Sequence, residues 1–505
     1  MRAASRFSIL FLAGMAVLIF LAYAVAVQSA FKTDDDRVVI VTNEHLRSVK
    51  GLGAIVSGSI FGDNAYYRPL VGLSHFIEFQ MFGLNAIPYY WFNIFLHAVN
   101  AIFAFFIFKR ILSDDILAQW AAFFYAIHPV HWEAVSNIAG RPILLSALFG
   151  LAAFAAFLKS LNEERRLWIN SSYVFTGLAL LCKESAVMIP FVITVYVFLN
   201  AAGEQRRRLA LKVGGYFFIL GAYFFLRSFL EMTHTYHWRN PTEFALGVAT
   251  FFKSVLLYGR ILLFPVDLHF DRSIAILAPG QMAEASFLVA VAALVAGALY
   301  GLRRRVAAVE MFLIIWFFIE LIPVSSTLVL IGIQPGYVSA AEHFLYLPAV
   351  SGAALIIIWG RRLMAYVKSK GWVSVSLARF IVVCAGSFYF LTLITMNVYA
   401  RSEEAMYERT LQFAPHNIRI HRALGVLLAQ KGEFARAQKH FDAVCRLNPD
   451  DVFARISLGK ALIDQGFYEA GLAEYKKVKD AGVYQPLLNN NILATEQLMK
   501  NLPHL

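Results

Sequence analysis

Phe31-Lys32-Thr33-Asp34-Asp35-Asp36 closes the first long apolar run of this chain, residues 7–30, with three carboxylates in a row. The run supplies about 20 apolar residues, the number that crosses a hydrocarbon core of roughly 30 Å. It therefore reads as a membrane helix, and the acidic triplet as the point where the chain leaves the membrane. Carboxylates at that level can take the proton of an attacking hydroxyl or hold a cation. They can equally begin a solvated loop, and position alone leaves both readings open.

The pattern repeats outward from that stretch. Of 505 residues, 59% are hydrophobic and 15% charged, which makes most of the chain an α-helical membrane domain. A net charge of +12 would suggest a nucleic-acid partner in a soluble chain. Here the basic residues fall in short clusters between apolar runs: Arg2 and Arg6, Lys109-Arg110, Arg165-Arg166, Arg206-Arg207-Arg208, Arg303-Arg304-Arg305 and Arg361-Arg362. That is the pattern of loop orientation, and it places these clusters and the N-terminus in the cytoplasm, with 7–30 as an uncleaved anchor. The spans expected are 7–30, 87–108, 116–128, 142–158, 168–182, 184–200, 213–230, 285–302, 307–323, 346–360 and 379–399. The run 246–264 is expected to be re-entrant, because a further crossing would carry Arg303 outside. About eleven crossings result, an odd number, so the C-terminal region lies outside. Cys182, Cys384 and Cys445 fall in different segments and suggest neither a disulfide framework nor a metal site.

From about residue 401 the composition becomes that of soluble helices. Pro415 and Pro449 stand 34 residues apart, and the same offset relates Leu424 to Leu458, Gly425 to Gly459, Gly432 to Gly466 and Phe441 to Tyr475. With Ala437 at its expected spacing, this is the tetratricopeptide pattern. The fold class expected is thus all-α: a polytopic membrane helix bundle over 1–399, with a first external loop at 32–86, followed at 400–505 by a short tetratricopeptide solenoid. Its two full repeats are set at 418–451 and 452–485. Such repeats suit a protein partner or bracing of the membrane domain.

Ionisable residues gather on the external side of this map: Asp34, Asp35, Asp36, Asp63, Arg68, His128, His131, Glu133, Arg141, Lys183, Glu184, Glu342 and His343. Charges at a membrane edge are costly and point to a polar cavity. Arg68 can bind phosphate oxygens bidentately or pair with Asp63. His128, His131 and Glu133 follow a helix-ending Pro129 and offer either weak zinc-type spacing or a hydrogen-bonded scaffold. Lys183 can hold an anionic head group or close a turn with Glu184.

The order of these motifs resembles the transmembrane and tetratricopeptide-containing O-mannosyltransferases and their bacterial relatives, in the GT-C glycosyltransferase superfamily. The matching stretches are Asp35-Asp36 with Ile40 and Asn43, Tyr67-Arg68-Pro69-Leu70, Asn93 with His97 and Asn100, His128-Pro129 through Glu133-Ala134-Val135 to Gly140-Arg141, and Lys183-Glu184. The last is Glu342-His343-Phe344-Leu345-Tyr346-Leu347-Pro348, in which His343 replaces the family's arginine. The resemblance implies transfer of a sugar, mannose among the candidates, from a polyprenyl-phosphate donor to a hydroxyl of a protein or glycan acceptor on the external face. It makes Asp35 the general base with Asp36 orienting, and Arg68, Arg141, Lys183 and His343 the ligands of the donor phosphate. Asp34, His128, His131, Glu133, Glu184 and Glu342 would line the cavity. No cofactor and no nucleic acid are implied, and a divalent cation is not demanded. A non-catalytic scaffold whose repeats recruit a partner, and a lipid-linked sugar transporter or polymerase, are the competing classes. The single Asn-x-Ser/Thr site, Asn170, near a cytoplasmic end, and the short repeat array fit a bacterial inner membrane with the repeats in the periplasm.

Overall fold

The computed structural model describes residues 2–28, 30–58, 66–163, 165–230, 241–281, 283–289, 307–324, 337–478 and 480–501. They form two compact units, one of residues 1–268 and 273–401, the other of 269–272 and 402–505. Asp63, the Arg303-Arg304-Arg305 cluster and most of the run 285–302 lie outside the described residues.

In the first unit the described helices are made by apolar runs whose ends carry explicit signals. Asp114 caps the helix Asp115–Ile127, its side chain accepting from the Ile116 and Leu117 amides at 2.9 and 3.0 Å. That helix stops at His128 because Pro129 follows. Pro142 sits in the first turn of the helix Arg141–Ser160, where a missing N–H costs nothing. Gly140 closes the turn before it so tightly that an added Cβ would lie 1.9 Å from the Ala134 carbonyl oxygen.

The expectation of about eleven crossings does not hold. Among the described residues six helices are long and apolar enough to cross a membrane: Ile87–Ile111, Ile138–Ser160, Gly203–Phe229, Phe244–Leu263, Pro348–Ser369 and Val375–Ala400. The runs 116–128, 168–182, 184–200 and 307–323 yield α-helices of 13, 15, 12 and 14 residues. At 1.5 Å per residue these reach only about 18–23 Å, short of a hydrocarbon core of roughly 30 Å. Counting apolar letters overstates a helix wherever a proline or a short 3₁₀ turn such as Glu184–Met188 takes up part of the run. The run read as re-entrant, 246–264, falls but for its last residue in one 23-residue helix, Pro241–Leu263, whose length and composition match those of a span. A two-stranded antiparallel pair, Ser273–Ala275 with Tyr337–Ser339, is the one departure from helix among the described residues.

The second unit corrects the other half of the expectation. It contains two helical hairpins, Ile418–Gln430 with Phe434–Leu447 and Val452–Ile463 with Tyr468–Lys476, flanked by the single helices Glu403–Phe413 and Gln485–Asn501. This is not a clear tetratricopeptide solenoid. The 34-residue offset is expressed in two hairpins only, and at least three stacked units are the usual minimum for such an array.

Candidate functional site

The acidic stretch folds as a single turn of helix, Asp34–Asp36, capped by Thr33, whose hydroxyl accepts from the Asp36 amide at 3.1 Å. The three neighbouring carboxylates meet three different fates. Asp34 is exposed and pairs with Arg37 at 3.0 Å. Asp36 is fully buried and accepts from the amides of Ala139 at 2.8 Å, Lys32 at 3.2 Å and Thr33 at 3.3 Å. Burial pushes its carboxyl above the usual range, against the Lys32 charge and the three amides that pull it down. The Asp35 carboxylate, half-buried between them, makes no hydrogen bond or ion pair among the described residues.

The Ala139 amide belongs to the segment 128–141, which carries the next group of expected residues. Its first half holds the late motif: the Trp132 indole donates to Glu342 at 2.7 Å, and Glu133 accepts from the His343 amide at 3.0 Å and pairs with the His343 ring at 2.9 Å. Glu133 is only 4% exposed, whereas a quarter of the His343 side chain reaches solvent. Burial works to raise the Glu133 carboxyl, but the His343 ring and amide outweigh it and hold it below the ordinary range.

His128 and His131 do not form a zinc site. The Nε2–H of His128 donates to the Leu262 carbonyl at 3.0 Å and its Nδ1 accepts from the Val130 amide at 3.2 Å. His131 is buried among the rings of Tyr125, Tyr346 and His97, with centroids 4.6, 4.8 and 5.2 Å away. Among the described residues no group of three or more His, Cys, Asp or Glu could hold a metal ion.

Arg141 ends the segment and does not join the other cations. It is fully buried, bound to Glu78 at 2.7 and 3.1 Å, to Asn93 at 2.5 Å, to the Tyr89 carbonyl at 3.1 Å and to Ser74 at 3.3 Å. With every nitrogen engaged, its guanidinium fastens the helix Pro69–Phe82 to Ile87–Ile111 and has no donor left for a phosphate. Asn93, also fully buried, spends its amide on the Asn137 carbonyl at 2.8 Å.

A second charged group gathers at the turn 181–184, joined to Leu70 by a backbone hydrogen bond from its amide to the Leu181 carbonyl at 3.3 Å. Glu184 takes Arg68 as a fork, at 2.8 Å to Nη2 and 3.2 Å to Nε. Burial would raise the Glu184 carboxyl, and the Arg68 charge and hydrogen bonds instead hold it below its usual range. Lys183 is 8% exposed, with its ammonium 5.5 Å over the Phe344 ring. The ammonium makes no hydrogen bond or ion pair among the described residues. Burial, and then the nearby Arg68 charge, push its ammonium down to about 7, against the fields of Glu184 and Glu133.

The structure thus brings Arg68, Lys183, Glu184, Glu133, Glu342 and His343 into one neighbourhood, and ties the acidic turn to it through 128–141. Sequence reasoning missed Lys32, Glu78 and Arg227. A buried arginine inside the apolar helix Gly203–Phe229 is a signal in itself, and the Arg227 charge acts on Glu184. Lys32, two residues before the acidic triplet, carries no local signal that sets it apart from a solvated loop lysine.

Comparison with known proteins agrees with the motif order. The family described as dolichyl-phosphate-mannose-protein mannosyltransferase matches residues 69–230. A protein O-mannosyl-transferase of Caenorhabditis elegans is 26% identical over 445 residues, covering 82% of this chain and 59% of that protein. Protein O-mannosyl-transferase TMTC4 of Homo sapiens is 25% identical over 480 residues, covering 81% and 62%. The chain therefore spans about three fifths of the length of these curated relatives. Among solved structures, the oligosaccharyltransferase AglB of Archaeoglobus fulgidus, in complex with an inhibitory peptide and a dolichol-phosphate, superimposes with a TM-score of 0.45 at 13% identity, over 79% of this chain and 56% of that one. The chain is a polytopic membrane protein, similar over this length to the O-mannosyl-transferases of the TMTC type.

Proposed function

We propose that this protein transfers a sugar from a polyprenyl-phosphate donor to an acceptor hydroxyl at the external face of the membrane. The observation that carries the reading is a pair of opposite charges in one unit that have no side-chain partner among the described residues: the Asp35 carboxylate of the acidic turn and the buried Lys183 ammonium. The lipid tail stays in the bilayer while its phosphate reaches Lys183. Arg68, held by Glu184, and His343, held by Glu133, flank that position. Asp35 takes the proton of the acceptor hydroxyl as its oxygen bonds to the anomeric carbon. The bond from that carbon to phosphate oxygen breaks, and the electron pair leaves on the polyprenyl phosphate, whose charge Lys183 and Arg68 offset. The names of the relatives support mannose as the sugar and a protein as the acceptor.

The test is transfer by the purified full-length protein in lipid, supplied with polyprenyl-phosphate mannose and a periplasmic or luminal protein extract, with products read by mass spectrometry. Wild-type protein is expected to transfer hexose, and Asp35→Asn to bind donor but lose roughly 10²–10⁴-fold in turnover, the usual worth of a general base. Turnover by Asp35→Asn close to wild type would remove Asp35 from the chemistry.

A further inference from the structure

Lys32 is only 2% exposed, and a buried ammonium next to a membrane persists only when its donors are well used. Its Nζ donates to the Ser136 carbonyl at 2.8 Å and to the Ala400 carbonyl at 2.5 Å, and lies 4.7 Å over the Tyr90 ring. Ala400 ends the helix Val375–Ala400, so its carbonyl is one that the helix itself leaves without a partner, and a cation there also meets the negative end of the helix dipole. The Ser136 hydroxyl donates to Asn397 at 2.7 Å, and Asn397 donates to the Ala22 carbonyl at 2.9 Å. Tyr90 donates to the Ala30 carbonyl at 3.0 Å. Four stretches far apart in sequence thus meet around one ammonium: residues 22–36, the start of Ile87–Ile111, the 128–141 segment and the end of Val375–Ala400.

The frame matters because of what it holds. The Lys32 backbone amide is itself one of the three donors to Asp36, and a second, Ala139, lies three residues beyond Ser136. The Asp35 carboxylate has no partner among the described residues, so its place is set by the backbone turn that its neighbours hold. We infer that Lys32 is a positioning residue: by gripping the Ser136 and Ala400 carbonyls it fixes the turn that presents Asp35 to the acceptor. The inference rests on the reading of Asp35 as the base. It adds that the last carbonyl of Val375–Ala400, two residues before the stretch 402–505 of the second unit, is part of what aligns the reaction.

Lys32→Met removes the donors and keeps most of the stem, while Lys32→Arg restores a cation able to reach two carbonyls. In the full-length protein in lipid, Lys32→Met is expected to lower kcat per folded molecule about 10²-fold, the scale of a small misplacement of a reacting group. Donor KM should stay within about twofold of wild type by the same reasoning, since the phosphate ligands are elsewhere, and Lys32→Arg should recover much of the loss. Independently of activity, backbone hydrogen exchange of a peptide spanning 31–42 should accelerate in Lys32→Met while peptides from 418–476 do not change. A purely structural role would lower the melting temperature and folded fraction but leave kcat per folded molecule as it was. That result, or unchanged exchange over 31–42, overturns the inference. Absence of transfer by the wild-type protein would instead remove the function on which it rests.

Discussion

Asp34, Asp35 and Asp36 are chemically identical and adjacent, yet their surroundings give each a separate expected phenotype. Asp34→Asn loses only an exposed pair with Arg37 and should alter stability by no more than about 0.5 kcal/mol, with turnover intact. Asp36→Asn turns an amide nitrogen toward N–H donors that now meet a carboxylate. It should cost roughly 1–3 kcal/mol, read as a lower melting temperature with reduced yield. Lys183 gives the pH-dependent case. If, as proposed, the donor phosphate binds the ammonium form, donor affinity should fall as pH rises through about 7. Lys183→Gln should flatten that limb at the weaker level, with a loss of about 1.5–3 kcal/mol, the worth of a hydrogen bond to a charged group. Without donor the sign reverses. A lysine titrating near 7 when folded and near 10.5 when unfolded adds stability as pH climbs between those values. Donor affinity measured calorimetrically between pH 6 and 9, beside melting curves of the free protein, separates the two trends; affinity independent of pH would exclude Lys183 as the phosphate ligand. Asp35 and Lys183 could be picked out from the sequence because each interrupts or closes an apolar run. Arg141 could be seen but not interpreted, since its role depends on Glu78, 63 residues away, and on complete burial, neither of which leaves a local trace.

Elements were legible where a terminating signal lies inside the run. Pro129 ends its helix as expected, and the paired glycines mark real close approaches. Gly425 and Gly459 face the rings of Phe441 and Tyr475, where an added Cβ would come to 2.7 and 2.5 Å. Gly432 and Gly466 turn each hairpin with φ of +79° and +89°, which a residue with a Cβ adopts only at a cost. What the periodicity could not give is the number of hairpins needed to make a solenoid, because an offset between two units looks the same whether or not a third follows. Gly425→Ala should destabilise the second unit by about 1–3 kcal/mol, as overpacking does, and accelerate amide exchange in 418–447. Adding Phe441→Leu should recover part of that loss by vacating the space the methyl needs. Equal or greater destabilisation in the double variant would mean that the ring supports the hairpin more than it crowds it.

For the whole membrane unit, two polar ends can be assigned from bonds rather than from counting spans. Lys32 meets Ala400, Asp36 meets Ala139 and Tyr90 meets Ala30, so the acidic turn, the start of Ile87–Ile111, the start of Ile138–Ser160 and the end of Val375–Ala400 share one end. Lys109 and Arg110 lie at the opposite end of Ile87–Ile111, and Lys109 pairs with Asp115 while Arg361 pairs with Asp114. These basic residues thus collect at the end away from the acidic turn, and from the positive-inside rule we propose that this basic end faces the cytoplasm. Parity arguments were fragile because one misjudged run inverts everything after it, whereas a bond between residues 32 and 400 is indifferent to how many helices lie between them. Cysteines introduced singly at Ser48 and Arg401 should react with an impermeant thiol reagent in intact cells. Those at Gln205 and Ser369 should react only after permeabilisation. If Ser48 and Arg401 report opposite sides, the Lys32–Ala400 bond cannot exist in the membrane, and both the placement of the acidic turn and the proposed external assignment of the site would have to be abandoned.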